Sequence, residues 1–470
     1  MRKIHIIGIA GVGMSATALL LKEAGWRVTG SDTECYGPPR AVLEKAGIAF
    51  TLGYSAGNIP DDTDCFLIGR NAKLAPAENV EVRAALATGK LIYSFPQMLG
   101  RLTADRENLV VVGSYGKSTT ASLVAHILRH SGVDTGYFIG AEPVTTSWLR
   151  APSAIGTAPT FVLEGDEYPS AHDDSRAKFL HLHPRDILLT SVVHDHVNVY
   201  PTFDSYQKPF QQLLDLVPED GMVVVCADEV GALELAKDSG KKLITYGLKN
   251  SEATFQAADI RYGQHTRFNL VKDGEMLGEL ETTLLGKHNI ENIVGAAAWV
   301  LERAGISFEQ VRAAIAEFPG VRRRLDHIAP HSRIPTLEGF GSSHEKARAA
   351  IEAVLLHFAN KKLVIVFEPH TFSWRNRASL PWYDDIFAGA SQIFVLPPET
   401  QGASTHEQLS HEEIIARIGA LARSYEGPGT TVAALEGDEV VLILTSGDLC
   451  GTLGTLVNKI TEIFPRQHIN

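Results

Sequence analysis

The sequence predicts an α/β protein of three domains: a Rossmann-like N-terminal domain, a central P-loop α/β domain and a C-terminal Rossmann-like α/β domain. Three observations carry this. Strand and helix signals alternate along most of the chain, the βαβ rhythm of a parallel sheet covered on both faces. Two glycine turns, Gly8–Gly13 and Gly113–Gly116, each stand between an apolar strand and a helix. The 470 residues, at about 150 per domain, allow three domains. Breaks in the pattern at Thr103–Asn108 and Pro319–Arg324 divide them as 1–106, 107–321 and 322–470.

In the first domain Lys3–Ile7 reads as a strand, Met14–Ala24 as a helix and Arg27–Gly30 as a strand. Helix Ala41–Ala46, strand Cys65–Ile68, helix Glu81–Thr88 and strand Leu91–Tyr93 follow. The apolar run Ile4–Leu21 faintly resembles an export signal. Gly8, Gly11 and Gly13 interrupt it, and a strand–turn–helix accounts for it better. The second domain opens with strand Leu109–Val112 and helix Ser118–His130. Strands Thr160–Glu164, Asp186–Ser191 and Met222–Cys226, an antiparallel alternation over Thr254–Leu280 and helix Asn289–Ala304 complete it. The third alternates helix Glu345–Ala359, strands Leu363–Phe367 and Gln392–Leu396, helix Glu412–Leu421 and strand Val440–Thr445.

Composition excludes several classes. With 44% hydrophobic and 21% charged residues the chain is not a disordered one. A net charge of −12 argues against a nucleic-acid or anionic-membrane surface as main partner. Cys35, Cys65, Cys226 and Cys450 form no CxxC pair, which excludes a local zinc ribbon or redox motif. No other segment offers the run of about 18 apolar residues of a membrane span. A cytoplasmic, reducing location is the expectation.

The chemistry gathers at strand ends. Gly8-Ile9-Ala10-Gly11-Val12-Gly13 lets the backbone turn tightly and presents helix N–H groups to an anion, and Asp32 closes the next strand where a carboxylate can accept ribose hydroxyls. The order is G-x-x-G-x-G, so a nicotinamide cofactor does not follow; helix–sheet packing is the alternative use. The second turn, Gly113-Ser114-Tyr115-Gly116-Lys117-Ser118-Thr119, follows Val110–Val112. Its N–H groups suit a phosphate chain, Lys117 the β/γ oxygens and Ser118 Mg²⁺. Val111 replaces the first glycine of the usual loop. Glu164-Gly165-Asp166-Glu167 ends an apolar strand and suits Mg²⁺, or is a solvated turn; His194-Asp195-His196 ends another, and serves metal or phosphate, or neither. Asn289 could pair with adenine or cap its helix. Arg322-Arg323-Arg324 could hold a phosphate or form a solvated linker.

Taken in order and spacing, these motifs resemble the Mur ligase family, ATP-dependent enzymes that form amide bonds in bacterial cell-wall synthesis. Gly8–Ser15 with Gly30-Ser31-Asp32, Gly113–Thr120, Glu164–Glu167, Asp195-His196, Gly286–Asn292 and Arg323-Arg324 carry the resemblance. Within the family it points to members that join UDP-N-acetylmuramate to the recycled tripeptide L-alanyl-γ-D-glutamyl-meso-diaminopimelate. Ile68-Gly69-Arg70-Asn71-Ala72, Glu167-Tyr168 with the insertion Asp174–Phe179, and Pro397-Pro398 fit them; Glu368-Pro369-His370 mixes in a trait of the L-alanine-adding members.

The resemblance implies a UDP-sugar site at Gly8, Gly11, Gly13, Met14, Ser15, Ser31, Asp32 and Asn71. It implies an ATP site at Gly113–Thr119, Asn289, Asn292, Arg324 and Glu338. Ser118 and Glu164 would hold one Mg²⁺ and His196 a second; Lys117, Glu164, His196 and Arg324 would be catalytic. UDP-N-acetylmuramate and a murein tripeptide would be the partners, and the chain a monomer or weak homodimer in peptidoglycan recycling. One departure stands out. The family shows Asp-Asp-Tyr/Phe-Gly/Ala-His-His-Pro where this chain reads Glu338-Gly339-Phe340-Gly341-Ser342-Ser343-His344, so Glu338 could reach the ATP ribose instead, and Ser342, Ser343 or His344 could supply polar contacts.

Overall fold

The computed structural model describes residues 1–146, 148–196, 199–398 and 407–466. It is an α/β fold built on three sheets. The residues group into two compact units: 1–260 with 268–281 and 290–318, and 261–267 with 282–289 and 319–470.

The first unit begins with β1 (Lys3–Ile7), β2 (Arg27–Asp32), β3 (Ala49–Leu52), β4 (Cys65–Ile68) and β5 (Leu91–Tyr93). All are parallel, in the order β3-β2-β1-β4-β5. The order of winding therefore reverses beside β1, which opens a crevice at its C-terminal end. The Gly8 turn sits there and leads into helix Val12–Glu23.

The second sheet comprises β6 (Glu107–Val112), β7 (Gly136–Phe138), β8 (Ser153–Ala154), β9 (Thr160–Glu164), β10 (Asp186–Leu189), β11 (Met222–Cys226), β12 (Lys242–Gly247), β13 (Phe255–Arg261), β14 (Thr266–Lys272) and β15 (Glu275–Thr282). Its order is β15-β14-β13-β12-β11-β10-β6-β9-β7-β8. The run Asn108–Val112 is buried throughout, as a strand covered on both faces must be. β6 lies between β9 and β10, parallel to both, with Val111 opposite Glu164 and Val112 opposite Leu189. That register brings three loops to one edge. A two-residue turn with positive φ at Asp273 and Gly274 joins β14 to β15, as in a tight hairpin. Ala16, Leu20 and Leu99 share one core with Val110, Phe161, Leu163 and Ile187, so the first two sheets are tied by common apolar packing.

The second unit holds β16 (Arg324–His327), β17 (Thr336–Gly339), β18 (Lys362–Phe367), β19 (Gln392–Val395), β20 (Ala422–Ser424) and β21 (Glu439–Leu444). They are ordered β16-β17-β21-β18-β19-β20; only β16 runs antiparallel to its neighbour. Helix His344–His357 packs on one face through Ala347, Ile351 and Val354, and helix Leu453–Ile463 on the other through Leu456 and Ile460.

Several elements correct the sequence reading. Strands Ala49–Leu52, Gly136–Phe138 and Lys242–Gly247 and helices Phe95–Leu102, Phe203–Asp215 and Val230–Asp238 were not expected. Phe203–Asp215 carries Pro209 inside it, and a Thr202–Ser205 capping box fixes its start. The helix expected to run to Leu421 stops at Ile418, because Gly419 turns the chain at φ 84°.

Candidate active site

The site forms where β6, β9 and β10 end. The loop Gly113–Gly116 follows β6 and must pass close to the neighbouring loop. A Cβ on Gly113 would stand 2.2 Å from Thr190 Oγ1, and one on Gly116 2.5 Å from Asn292 Oδ1; both φ are positive, +140° and +81°. Ser114 N–H donates to Ser191 O (3.0 Å) and Tyr115 N–H to Ser191 Oγ (3.0 Å), while Ser114 Oγ donates to Val193 O (2.7 Å). These bonds set the loop rigidly on β10. Helix Lys117–His130 then starts at Gly116 with no side-chain cap, leaving its N-terminal dipole to an anion.

Side chains from the three loops converge. Ser118 Oγ donates to Glu164 Oε1 (2.8 Å), and Gly140 N–H to Glu164 Oε2 (2.6 Å). These hard oxygen donors, side by side at a helix N-terminus, fit Mg²⁺. Lys117 Nζ lies 3.0 Å from Glu167 Oε2, and His196 Nε2 3.1 Å from Glu167 Oε1. Tyr168 Oη is 2.8 Å from His196 Nδ1, and His196 sits in a left-handed conformation at φ 56°. Tyr200 Oη donates to Glu167 O. Thr120 Oγ1 donates to Asn292 Oδ1 (3.2 Å), which places Asn292 behind the phosphate loop.

The electrostatics follow from this packing. Burial lifts the Glu167 carboxyl, but Lys117 and the His196 hydrogen bond outweigh it and hold the group down at about 2. Burial pulls the Lys117 ammonium down, and the carboxylates of Glu167, Asp166 and Glu164 more than reverse it, leaving it above its ordinary value. Burial, with the neighbouring carboxylates, pushes the Tyr168 and Tyr200 phenols up to about 12. The sequence marks Glu167 as part of an acidic turn and of the Glu167-Tyr168 stretch, but does not show its pairing with Lys117 and His196.

At the first glycine turn the expected residues divide. Gly8 N–H donates to Ser31 O (2.8 Å), and Gly11 opens helix Val12–Glu23 without a side-chain cap. A Cβ on Gly13 would press on the Phe95 ring at 3.3 Å. The Met14 side chain lies in the core, so only its backbone faces the turn, and Ser15 Oγ donates to Val12 O (3.1 Å). Asp32 accepts from Ala10 N–H (2.9 Å) and Tyr54 Oη (3.0 Å), so it braces the turn itself. Ser31 Oγ donates to buried Glu81 (2.5 Å), which also accepts from His5, Ser55 and Asn58. Beside this, Thr33, Tyr54, Lys73, Glu78, Asn79 and Val80 line an open cavity of about 660 Å³. Asn71 O accepts from His172 Nε2 (3.0 Å), so the insertion after Tyr168 reaches the first-domain loop.

In the second unit Asn289 Nδ2 donates to Leu285 O (2.8 Å). The Arg324 guanidinium stacks over the Phe340 ring at 5.2 Å. Glu338 is buried and paired with Arg323 (3.0 Å), which also donates to the Ser446 and Gly447 carbonyls. Among the described residues, the three-carboxylate cluster Glu436, Asp438 and Glu439 forms a turn in which Glu439 accepts the Glu436 and Gly437 N–H groups. No helix among them is long and apolar enough to cross a membrane, and all four cysteines are free thiols.

A parallel-sheet P-loop with paired carboxylates, beside a second anion-ready glycine turn, defines an enzyme that handles nucleotides. The chain belongs to the Mur ligase family: residues 3–107 match the model described as "Mur ligase family, catalytic domain" and residues 111–300 the "Mur ligase middle domain". It is thus an ATP-dependent, amide-bond-forming ligase of peptidoglycan synthesis, of a family that typically uses Mg²⁺. UDP-N-acetylmuramate–L-alanine ligases from Salinibacter ruber and Psychrobacter sp. are each 31% identical, over 95% and 84% of this chain and 93% and 80% of theirs. The UDP-N-acetylmuramate:L-alanyl-γ-D-glutamyl-meso-diaminopimelate ligase from Neisseria meningitides is 29% identical with a TM-score of 0.61, over 69% of this chain and all of that one. The L-alanine ligase of Thermotoga maritima shares the fold at a TM-score of 0.78 and 23% identity, over 98% of this chain and all of that one.

Proposed function

We propose that this ligase joins UDP-N-acetylmuramate to the tripeptide L-alanyl-γ-D-glutamyl-meso-diaminopimelate, a step of peptidoglycan recycling. One observation carries the choice of amine. The segment between Tyr168 and the Asp174–Phe179 stretch touches Asn71 through His172, so the chain that carries both resembling stretches lies against the first-domain loop Ile68–Ala72. The Neisseria enzyme of that activity is among the similar structures. L-alanine as the amine is the second reading, favoured by the relatives at 31% identity.

In this reading the domain 1–106 holds the UDP-sugar at the Gly8–Ser15 turn, with Ser31, Asp32 and Asn71 around it. Residues 107–321 hold ATP on Gly113–Thr119, and residues 322–470 receive the amine and bring Arg324. The muramate carboxylate oxygen attacks the γ-phosphorus, the bond to the β-phosphate oxygen breaks, and ADP leaves. The peptide amine then attacks the acyl carbon, the C–O bond breaks, and phosphate and a proton depart. A carboxylate is a poor electrophile; the acyl phosphate gives it a leaving group. Lys117 offsets charge on the transferring group, and Ser118, Glu164 and His196 are the residues that would hold Mg²⁺, which supplies further charge neutralisation.

Phosphate release tests this. The protein is incubated with UDP-N-acetylmuramate, MgATP and either amine. Release with tripeptide alone supports the first reading, and release with L-alanine alone replaces it with the second. Release with neither, despite ATP binding, overturns both.

A further inference from the structure

Among the described residues, the hydroxyl of Tyr168 makes one side-chain hydrogen bond, and it goes to His196 of the candidate site. Tyr168 Oη lies 2.8 Å from His196 Nδ1, and the two rings lean together at 4.4 Å between centroids. The tyrosine is itself held. Its N–H donates to Asp166 Oδ1 (3.0 Å), its carbonyl accepts from Lys178 N–H (2.9 Å), and the Lys178 ammonium lies 5.6 Å over its ring while pairing with Asp166 (2.5 Å). His196 stands on an irregular segment after β10, in a left-handed conformation. Its backbone alone therefore does not set the ring. Residues 167 and 168, adjacent in the loop after β9, face one ring nitrogen each: Glu167 faces Nε2, and Tyr168 hydrogen-bonds Nδ1, which also has Asp195 Oδ1 at 3.6 Å.

We propose that Tyr168 is a positioning residue, which pins the His196 imidazole so that Nε2 points at the carboxylate shared with Lys117. A hydrogen bond at one imidazole nitrogen fixes the direction of the ring, while the acceptor-only Glu167 carboxylate selects which proton the other nitrogen carries. A phenol can donate to a bare Nδ1 or accept from Nδ1–H. Tyr168 thus supports His196 both when Nε2 carries a proton toward Glu167 and when Nε2 serves as a ligand. The proposal rests on the ATP-dependent reading of this site. The acidic segment alone does not reveal it, since the partner lies 28 residues downstream.

The test is Tyr168→Phe, which keeps the ring. Correlation spectra of the imidazole nitrogens are recorded on the ¹⁵N-labelled full chain, with His196 assigned by its loss in His196→Asn. The wild type is expected to show one sharp set of His196 ring signals, and Y168F shifted and broadened ones, as for a ring that is no longer held in one orientation. In turnover, kcat of Y168F should fall about 10–100-fold, as for other partners that orient a ligating histidine. The KM for ATP should stay within about twofold, since the phosphate loop is untouched. Unchanged His196 signals in Y168F, a kcat within about twofold of wild type, or a loss confined to KM would each overturn the proposal. The spectra need no substrate. If the wild type releases phosphate with no acceptor, the ligase reading fails while the Tyr168–His196 bond is still decided.

Discussion

Lys117 Nζ lies 3.0 Å from Glu167 Oε2, and the same carboxylate meets His196 on its other oxygen. A P-loop lysine is usually discussed as a free charge offered to phosphate. Here it is paired, inside a carboxylate-rich edge, so in the proposed reading nucleotide binding would exchange one anionic partner for another. The net charge of −12 has the same lesson at larger scale. In the proposed reading, anionic substrates would bind through helix N-termini and a few local cations, against the field of the whole molecule.

Removing the lysine should separate stability from activity. In Lys117→Met, turnover should fall by at least about 10²-fold, the scale of losing one oriented donor to transition-state charge. Stability should fall too, because Glu167 is 1% exposed and loses a partner. Breaking a buried pair costs up to about 3–5 kcal/mol, and His196 keeps the cost toward the lower end. Adding Glu167→Gln should recover the melting temperature and leave turnover lost. Equal melting temperatures for single and double variants would show that the pair carries no strain-free charge balance.

The Glu167 carboxyl also predicts an acid response. Its folded value of about 2 lies below the ordinary 4.5. The stabilisation is therefore complete above pH 4.5 and lost as pH falls toward 2. Thermal unfolding of wild type and Glu167→Gln across pH 3–7 should give a wild-type advantage that shrinks on acidification. A difference independent of pH would contradict the assigned pairing.

How far the sequence shows these features depends on their range. The strands Thr160–Glu164 and Met222–Cys226 are continuous apolar runs and are visible at their true bounds. Helix Phe203–Asp215 is hidden by Pro209, although its Thr202 cap is a local signal. The phosphate loop is legible because its chemistry is contiguous: glycine, lysine and serine follow one another. The meeting of Glu164, Glu167 and His196 with it depends on β6 standing between β9 and β10, a pairing no local pattern states. Side-chain direction is hidden as well. Met14 follows the first glycine turn and Ser31 stands on β2, yet the Ser31 hydroxyl is bound to Glu81 and the Met14 side chain fills the core. Glu338 meets Arg323 for the same reason: the partner is fixed by β16 and β17 pairing, not by the motif.

Gly116→Ala should abolish ATP binding while leaving most of the fold. The position has φ +81°, and a Cβ would stand 2.5 Å from Asn292 Oδ1. A methyl group there forces the loop or Asn292 to move, and either displaces the helix N-terminus from the phosphates. Calorimetric titration of a non-hydrolysable ATP analogue measures this. Binding within about threefold of wild type, a difference under 1 kcal/mol, would mean that the loop tolerates the side chain.

Glu291 should give a pH response of opposite sign. It lies on helix Lys287–Arg303, and burial, with Asp228 and Glu229 nearby, pushes its carboxyl up to about 7 even though the Cys226 thiol hydrogen-bonds to it. Between pH 4.5 and about 7 the folded chain keeps a proton that the unfolded chain has released. Stability attributable to this group therefore falls as pH rises through that window and is level above it, by about 2–3 kcal/mol in all. Glu291→Gln keeps the shape and removes the ionisation, so its advantage over wild type should be absent near pH 4, grow to neutrality and then stay constant. Urea midpoints at pH 4, 5, 6, 7 and 8 measure it. Parallel wild-type and variant profiles would show that the Glu291 carboxyl ionises in the folded chain as it does in water.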